Sequence, residues 1–208
     1  MENFCKTYNV SRETYAKLQQ YCASLFEWQQ KFNLVSNNSL QDVWKRHFND
    51  SAQLFDYIPQ SAANLLDIGS GAGFPAMVLA IIAAEKTPYL NITMVESVAK
   101  KTLFLNHVKN LTAINAEILN TRVENLHGRK FDIITARAVT SLNDLLNYAF
   151  PLLGVDGKCI FPKGKSYQQE INSARKNWTF SVEIFDSQTS QDGKILVIKN
   201  IAPKRRKQ

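Results

Sequence analysis

Asn64-Leu65-Leu66-Asp67-Ile68 is an apolar run that closes on a carboxylate, and Gly69-Ser70-Gly71-Ala72-Gly73-Phe74-Pro75 follows it directly. The pattern predicts a strand, a glycine turn and the start of a helix, with Pro75 suited to the first helical turn. Glycine has no Cβ and tolerates positive φ, so a ligand can lie against bare backbone there. Glu96 closes a second apolar run, where an acid can accept from both hydroxyls of a ribose. Arg137 ends another run at the edge where open α/β sheets bind ligands. Its fork can hold a carboxylate, a phosphate or O6 of a guanine, and a structural ion pair is its plain alternative. Lys163, just before Gly164, faces the same rim as a candidate RNA contact or a solvated lysine.

Two ligands compete for the turn. Gly71-Ala72-Gly73-Phe74-Pro75-Ala76 fits the dinucleotide pattern G-x-G-x-x-G/A, a weak signal by itself. Counted from Gly69 the pattern fails, because Phe74 stands where a small residue is needed. Gly69, Gly71 and Gly73 also form the G-x-G-x-G turn of S-adenosylmethionine (SAM) sites. Asp67 beside the turn would repel a pyrophosphate but meet the ammonium end of SAM, while the turn's N–H groups meet polar ligand atoms. Glu96 suits either cofactor.

The elements that position these residues alternate. Strands are predicted at 64–68, 91–96, 115–119, 131–136, 157–162, 181–186 and 194–199, with helices at about 75–85, 98–110, 141–151 and 166–177. Such alternation implies βαβ crossovers and a largely parallel sheet covered on both faces. No helix fits between the last two strands. Their polar connection, Ser187 to Gly193, reads as a hairpin. The expected fold is α/β: a Rossmann-like, seven-stranded, mostly parallel sheet with a terminal antiparallel hairpin, the arrangement of class I SAM-dependent methyltransferases. Ahead of it, residues 11–58 read as helical, with Ser11 capping one helix and Ser39 a second that bears Arg46 and His47. The expected division is a helical extension at 1–60, the SAM-binding domain at 61–202 and a basic tail at 203–208.

The 208 residues suit one domain with a small appendage, and 45% hydrophobic content supplies its core. No run reaches the roughly 20 apolar residues of a membrane span, and the first residues lack the order of a signal peptide. Cys5, Cys22 and Cys159 are odd in number and far apart, so a disulfide framework is not expected and a cytoplasmic setting is. His107 and His127 lack partners at metal spacing, and no metal is expected. Of the net charge of +7, four charges lie in Lys204-Arg205-Arg206-Lys207, so the body is only mildly basic. The charge permits a nucleic-acid partner without establishing one.

Beyond the turn, the chain holds Lys31-Phe32-Asn33-Leu34-Val35-Ser36, Arg46-His47-Phe48-Asn49-Asp50-Ser51, Arg122-Val123-Glu124, Ala136-Arg137-Ala138 and Pro162-Lys163-Gly164. With these it resembles the RsmG family (glucose-inhibited division protein B) of bacterial 16S rRNA guanine-N7 methyltransferases. The glycine turn is common to very many methyltransferases, whereas the combined set is much narrower and spans nearly the whole chain. The resemblance implies methyl transfer from SAM to N7 of one guanosine in 16S ribosomal RNA of the small subunit or its precursor, by a protein expected to be monomeric. It implies that Gly69, Phe74, Val123, Glu124 and Arg137 line the cofactor site, with Val123 and Glu124 bordering the adenine. It also implies a rim role toward substrate or cofactor for Arg46 and His47.

The residues agree with that chemistry. The segment after the fourth strand, Thr135-Ala136-Arg137-Ala138, lacks the Asn/Asp-Pro-Pro-aromatic loop used on exocyclic amines. Cys159 falls inside a predicted strand, as a core residue rather than a nucleophile. Guanine N7 has a free lone pair and loses no proton on attack, so no general base is required, and catalysis can rest on positioning by groups such as Arg137 and Lys163. A SAM-dependent enzyme of small molecules, an NAD(P)-dependent oxidoreductase and a non-catalytic RNA-binding module are the competing readings.

Overall fold

The computed structural model describes residues 2–204; most of the basic tail, 205–208, lies outside the described residues. Seven strands form one sheet in the order β3-β2-β1-β4-β5-β7-β6. They are β1 (Asn64–Ile68), β2 (Asn91–Glu96), β3 (Ala116–Asn120), β4 (Phe131–Ala136), β5 (Leu153–Lys163), β6 (Trp178–Asp186) and β7 (Lys194–Pro203). The first five run parallel, and β7 is antiparallel to both β5 and β6. The last two strands join through Ser187–Gly193, where Ser187 N donates to Gly193 O, the expected hairpin. β5, β6 and β7 run longer than the predicted spans, and the added start of β6 includes the buried Trp178 and Phe180.

Alternation along each strand sorts side chains to two faces. Leu65, Ile92, Met94, Ile133 and Ile160 pack with the helices α2 (Arg12–Gln29), α5 (Ala76–Lys86) and α6 (Ala99–Thr112). Leu66, Ile68, Ile134 and Phe161 pack with α7 (Leu142–Ala149) and α8 (Tyr167–Ala174). Residues Ala76 to Ala83 of α5 are all buried, as expected of a helix apolar on every side. Cys159 is fully buried in the second core, and burial raises its thiol pKa above the ordinary range.

The N-terminal helices share the first core with the sheet rather than forming one of their own. Ser11 caps α2, accepting from Thr14 N at 3.1 Å. Three features depart from the expected helical segment. α1 (Glu2–Tyr8) precedes α2, and Ser39 is not a cap. It lies inside the short α3 (Asn37–Leu40), donating to Ser36 O at 2.6 Å, and Ser36 occupies the N-cap position. Arg46 and His47 are not on a regular α-helix either. Trp44–Asn49 forms a π-helical turn that leads into α4 (Asp50–Ala52) and the 3₁₀ turn Gln53–Tyr57. The wider turn lets consecutive His47 and Phe48 both face inward.

Candidate active site

The strand order reverses between β1 and β4, and the site lies at the carboxyl ends of the strands beside that switch point. Gly69, Gly71 and Gly73 have φ of +65°, +59° and +100°, so the turn needs glycine at all three positions. A Cβ on Gly73 would meet Met77 Cβ and the Tyr21 hydroxyl at 2.8 Å; one on Gly71 would meet nothing nearer than Gly69 O at 3.9 Å. Gly73 is thus required by packing beneath the turn, and Gly71 by backbone conformation at its open side. Pro75 sits one position ahead of α5, after a cis peptide.

Asp67 lies under the turn. It is fully buried and level with Thr135 in the parallel register, whose Oγ1 donates to Asp67 Oδ1 at 2.7 Å. Oδ2 has no hydrogen-bond partner. Burial pushes its carboxyl pKa up to about 6, and hydrogen bonding holds the shift back. This carboxylate supports the turn from within; it does not line the cavities on the ligand side.

Glu96 is where the sequence pattern put it, at the end of β2. Its Oε2 accepts from Gly71 N at 2.8 Å and its Oε1 from Val98 N at 2.8 Å. A carboxylate seated on a turn N–H opposes a pyrophosphate approaching the same backbone, which argues against the dinucleotide reading. On one side of Gly69 a cavity of about 130 Å³ is lined by Val95, Ser97, Val123, Glu124 and Tyr148. On the other, a cavity of about 460 Å³ is lined by Ser70, Gly71, Phe74, His47, Lys101 and Arg137. Gly69 belongs to both.

Arg137 leaves the end of β4 and is mostly enclosed, its side chain 16% exposed. Its Nη1 donates to Arg46 O at 2.9 Å and to Asp50 Oδ2 at 3.2 Å, and its Nη2 meets His47 Nδ1 at 2.7 Å. The guanidinium lies 5.1 Å from the Phe74 ring centroid, and His47 stacks on the same ring at 4.7 Å. Phe74 in turn stacks on buried Tyr21, whose hydroxyl donates to Ala72 O. Burial, then the charges of Arg137 and Arg46, lower the His47 pKa to about 3. Much of the Arg137 fork therefore holds the N-terminal segment to the site.

Lys163 is also engaged. Its Nζ donates to Glu170 Oε2 at 2.7 Å and to Thr140 O at 3.2 Å, and Glu170 Oε2 also accepts from Leu142 N at 2.9 Å. It borders a third cavity, about 490 Å³, together with Arg46, Asp50, Arg137, Ser190 and Lys194. Arg46 is exposed on that rim. Phe161 is core, and Tyr167 lies beside Lys194, whose Nζ is 6.0 Å from its ring centroid. His107 is used structurally, bonded to Ser24 and packed on Trp28. Among the described residues no group of three or more His, Cys, Asp or Glu could hold a metal ion.

Three participants carried no assigned role in the sequence reading. Asp50 stood in the Arg46–Ser51 motif and pairs with Arg137. Tyr21 could have been found from its helical spacing with Leu18 and Leu25. Lys101, near the start of α6, has no sequence signal that separates it from Lys100.

The residues present suit SAM: two cavities joined at a glycine, an acid at the β2 end, a cationic patch beside the turn and an orphaned buried donor, His47 Nε2. Fold and site together define a Rossmann-like class I SAM-dependent methyltransferase. Residues 14–198 match the GidB family model, described as rRNA small subunit methyltransferase G. The chain belongs to that family. Similar proteins named ribosomal RNA small subunit methyltransferase G come from Rhodospirillum centenum and Cereibacter sphaeroides strain ATCC 17025. The first is 40% identical over 202 residues, covering 97% of this chain and 91% of its own. The second is 40% identical over 204 residues, covering 97% and 98%. Among solved structures, a ribosomal protein L11 methylase from Lactobacillus delbrueckii subsp. bulgaricus aligns with TM-score 0.58 at 17% identity, over 72% of this chain and 76% of its own. M. jannaschii TYW2 in complex with AdoMet aligns with TM-score 0.57 at 12% identity, over 76% of each chain. At such identities these likenesses speak to the fold alone.

Proposed function

We infer that the protein transfers a methyl group from SAM to small-subunit ribosomal RNA, at N7 of one guanosine of 16S rRNA. The observation that carries this is the meeting of two cavities at Gly69 beside a third rimmed by Arg46, Arg137, Lys163 and Lys194. When bound, SAM supplies an electrophilic methyl on a sulfonium. Val123 and Glu124 border the adenine, Glu96 accepts from the ribose hydroxyls, and the turn from Ser70 to Ala72 receives the amino-acid end. Asp67 acts on that end only through the turn it supports.

N7 attacks with its own lone pair and loses no proton, so the protein's task is alignment of the base and exclusion of other geometries. The target base must be unpaired or extruded to enter. The cations of the third cavity meet its phosphates and O6, Arg46 directly, and Lys163 and Lys194 from their ion pairs with Glu170 and Asp186. No described helix is long and apolar enough to cross a membrane, and we read the protein as a cytoplasmic monomer.

The test is incubation with methyl-labelled SAM and small-subunit particles that lack the modification. Label at a single guanine N7, read by chemical cleavage at 7-methylguanosine, is the expected result. Label absent from N7, or methylation of a small molecule without RNA, would remove the reading.

A further inference from the structure

His47 Nδ1 lies 2.7 Å from Arg137 Nη2. A guanidinium has only donors, so the nitrogen facing it holds a lone pair, and the one proton of the neutral ring is on Nε2. The ring cannot turn away cheaply: it is stacked on Phe74, and the residue is 8% exposed. Arg137 itself is anchored through Nη1 to Arg46 O and Asp50 Oδ2. Nε2 is nevertheless buried without a hydrogen-bond partner. A buried donor of fixed tautomer, with no acceptor in the protein, calls for an acceptor on a ligand.

The location narrows the ligand atom. His47 lines the cavity on the Ser70–Ala72 side of Gly69, opposite the cavity of Val123 and Glu124. A cofactor with its adenine at Val123 and Glu124 therefore extends its amino-acid end toward His47. Lys101 and Arg137 line the same cavity and favour an anion there. We propose that neutral His47 donates its Nε2–H to the carboxylate of the cofactor's amino-acid end, and that Arg137 is a positioning residue that fixes the ring's tautomer and orientation. The proposal rests on the SAM reading above. Burial between two arginines, which holds the imidazole pKa near 3, keeps the ring neutral.

Calorimetric titration with S-adenosylhomocysteine and with 5′-methylthioadenosine, which lacks the amino-acid end, separates the outcomes. His47→Phe keeps an aromatic ring on Phe74 and removes both nitrogens. It should weaken S-adenosylhomocysteine about 10- to 100-fold, as for loss of a hydrogen bond to a charged group, and leave 5′-methylthioadenosine nearly unchanged. His47→Gln, with an amide nitrogen near the Nε2 position, should recover part of the difference. Equal losses for both ligands would overturn the proposal alone; wild-type protein that binds neither would overturn the SAM reading and the proposal with it. Nitrogen NMR of histidine-labelled wild-type protein gives a readout that needs no variant. The His47 ring should be the Nε2–H tautomer before ligand, with that proton shifting on S-adenosylhomocysteine and not on 5′-methylthioadenosine. A protonated ring, an Nδ1–H tautomer or equal shifts would overturn it.

Discussion

Asp50 accepts from Arg137 through one carboxylate oxygen, at 3.2 Å, and from Thr189 and Gln53 through the other, at 2.8 and 3.0 Å. One side chain thus ties the N-terminal helices, the end of β4 and the β6–β7 hairpin together. Gln53 reinforces it, accepting from Gln188 N at 2.8 Å and donating to Ser187 Oγ at 3.2 Å.

Asp50→Ala should therefore loosen the site as well as the fold. It leaves Arg137 with a mostly enclosed, uncompensated charge, at a cost of about 2 kcal/mol, or a Tm lower by ~4–8 °C for a domain of this size. S-adenosylhomocysteine affinity should fall with it. Thermal unfolding followed by circular dichroism, with titration below the transition, checks both; an unchanged Tm would mean the hairpin does not depend on this carboxylate.

Two glycines of one turn should respond differently. Gly73→Ala forces a Cβ to within 2.8 Å of Met77 and Tyr21 at φ +100° and should cost about 2–4 kcal/mol, from overpacking added to backbone strain. Gly71→Ala, at φ +59° in open space, carries only the strain, about 1–2 kcal/mol. It should remain folded with weaker cofactor binding. Urea denaturation of the two variants should rank them in that order.

Asp67 and His47 should give opposite pH slopes. The folded pKa of Asp67 is raised from 3.8 to about 6. The folded state therefore holds that proton more tightly than the unfolded one, and stability is lost as pH rises from about 4 to 6. The folded pKa of His47 is lowered from 6.5 to about 3. Its contribution is present above pH 6.5 and lost as pH falls toward 3. Asp67→Asn should remove the first slope and His47→Phe the second. Denaturation midpoints across pH 3.5–7 measure both, and parallel profiles for the two variants would contradict the assignment.

Lys163 is held by Glu170 and Thr140 with its side chain 10% exposed. Lys163→Met should destabilise the protein by about 1–3 kcal/mol by stranding Glu170, in addition to any loss of RNA affinity. A lysine serving only as a surface RNA contact would lower affinity with no change in Tm, so thermal unfolding beside a filter-binding assay distinguishes the two.

The strands β1, β2 and β4 lie where their apolar runs predicted, because parallel strands buried on both faces leave a continuous hydrophobic signature. The hairpin was legible in the polar Ser187–Gly193 segment for the complementary reason. The π-helical turn at Trp44–Asn49 was not legible: six residues are too few for periodicity to separate it from an α-helix. Asp67 was legible as an acid beside the turn but not as a buried one, since its side depends on the alternation of β1 and on the neighbour Thr135 contributed by β4.

The sequence by itself determined the order of strands and helices, the three glycines and the acids that close β1 and β2. Those follow from local periodicity, from glycine's backbone freedom and from adjacency along the chain. Only the tertiary structure decided which polar groups are committed and which are free. Arg137 meets Asp50 across 87 residues and His47 across 90, and Thr189 meets Asp50 across 139. No local pattern encodes such pairings; they arise when burial of the shared core brings the N-terminal turn, the switch point and the hairpin together, and leaves His47 Nε2 buried without a protein partner beside the glycine turn.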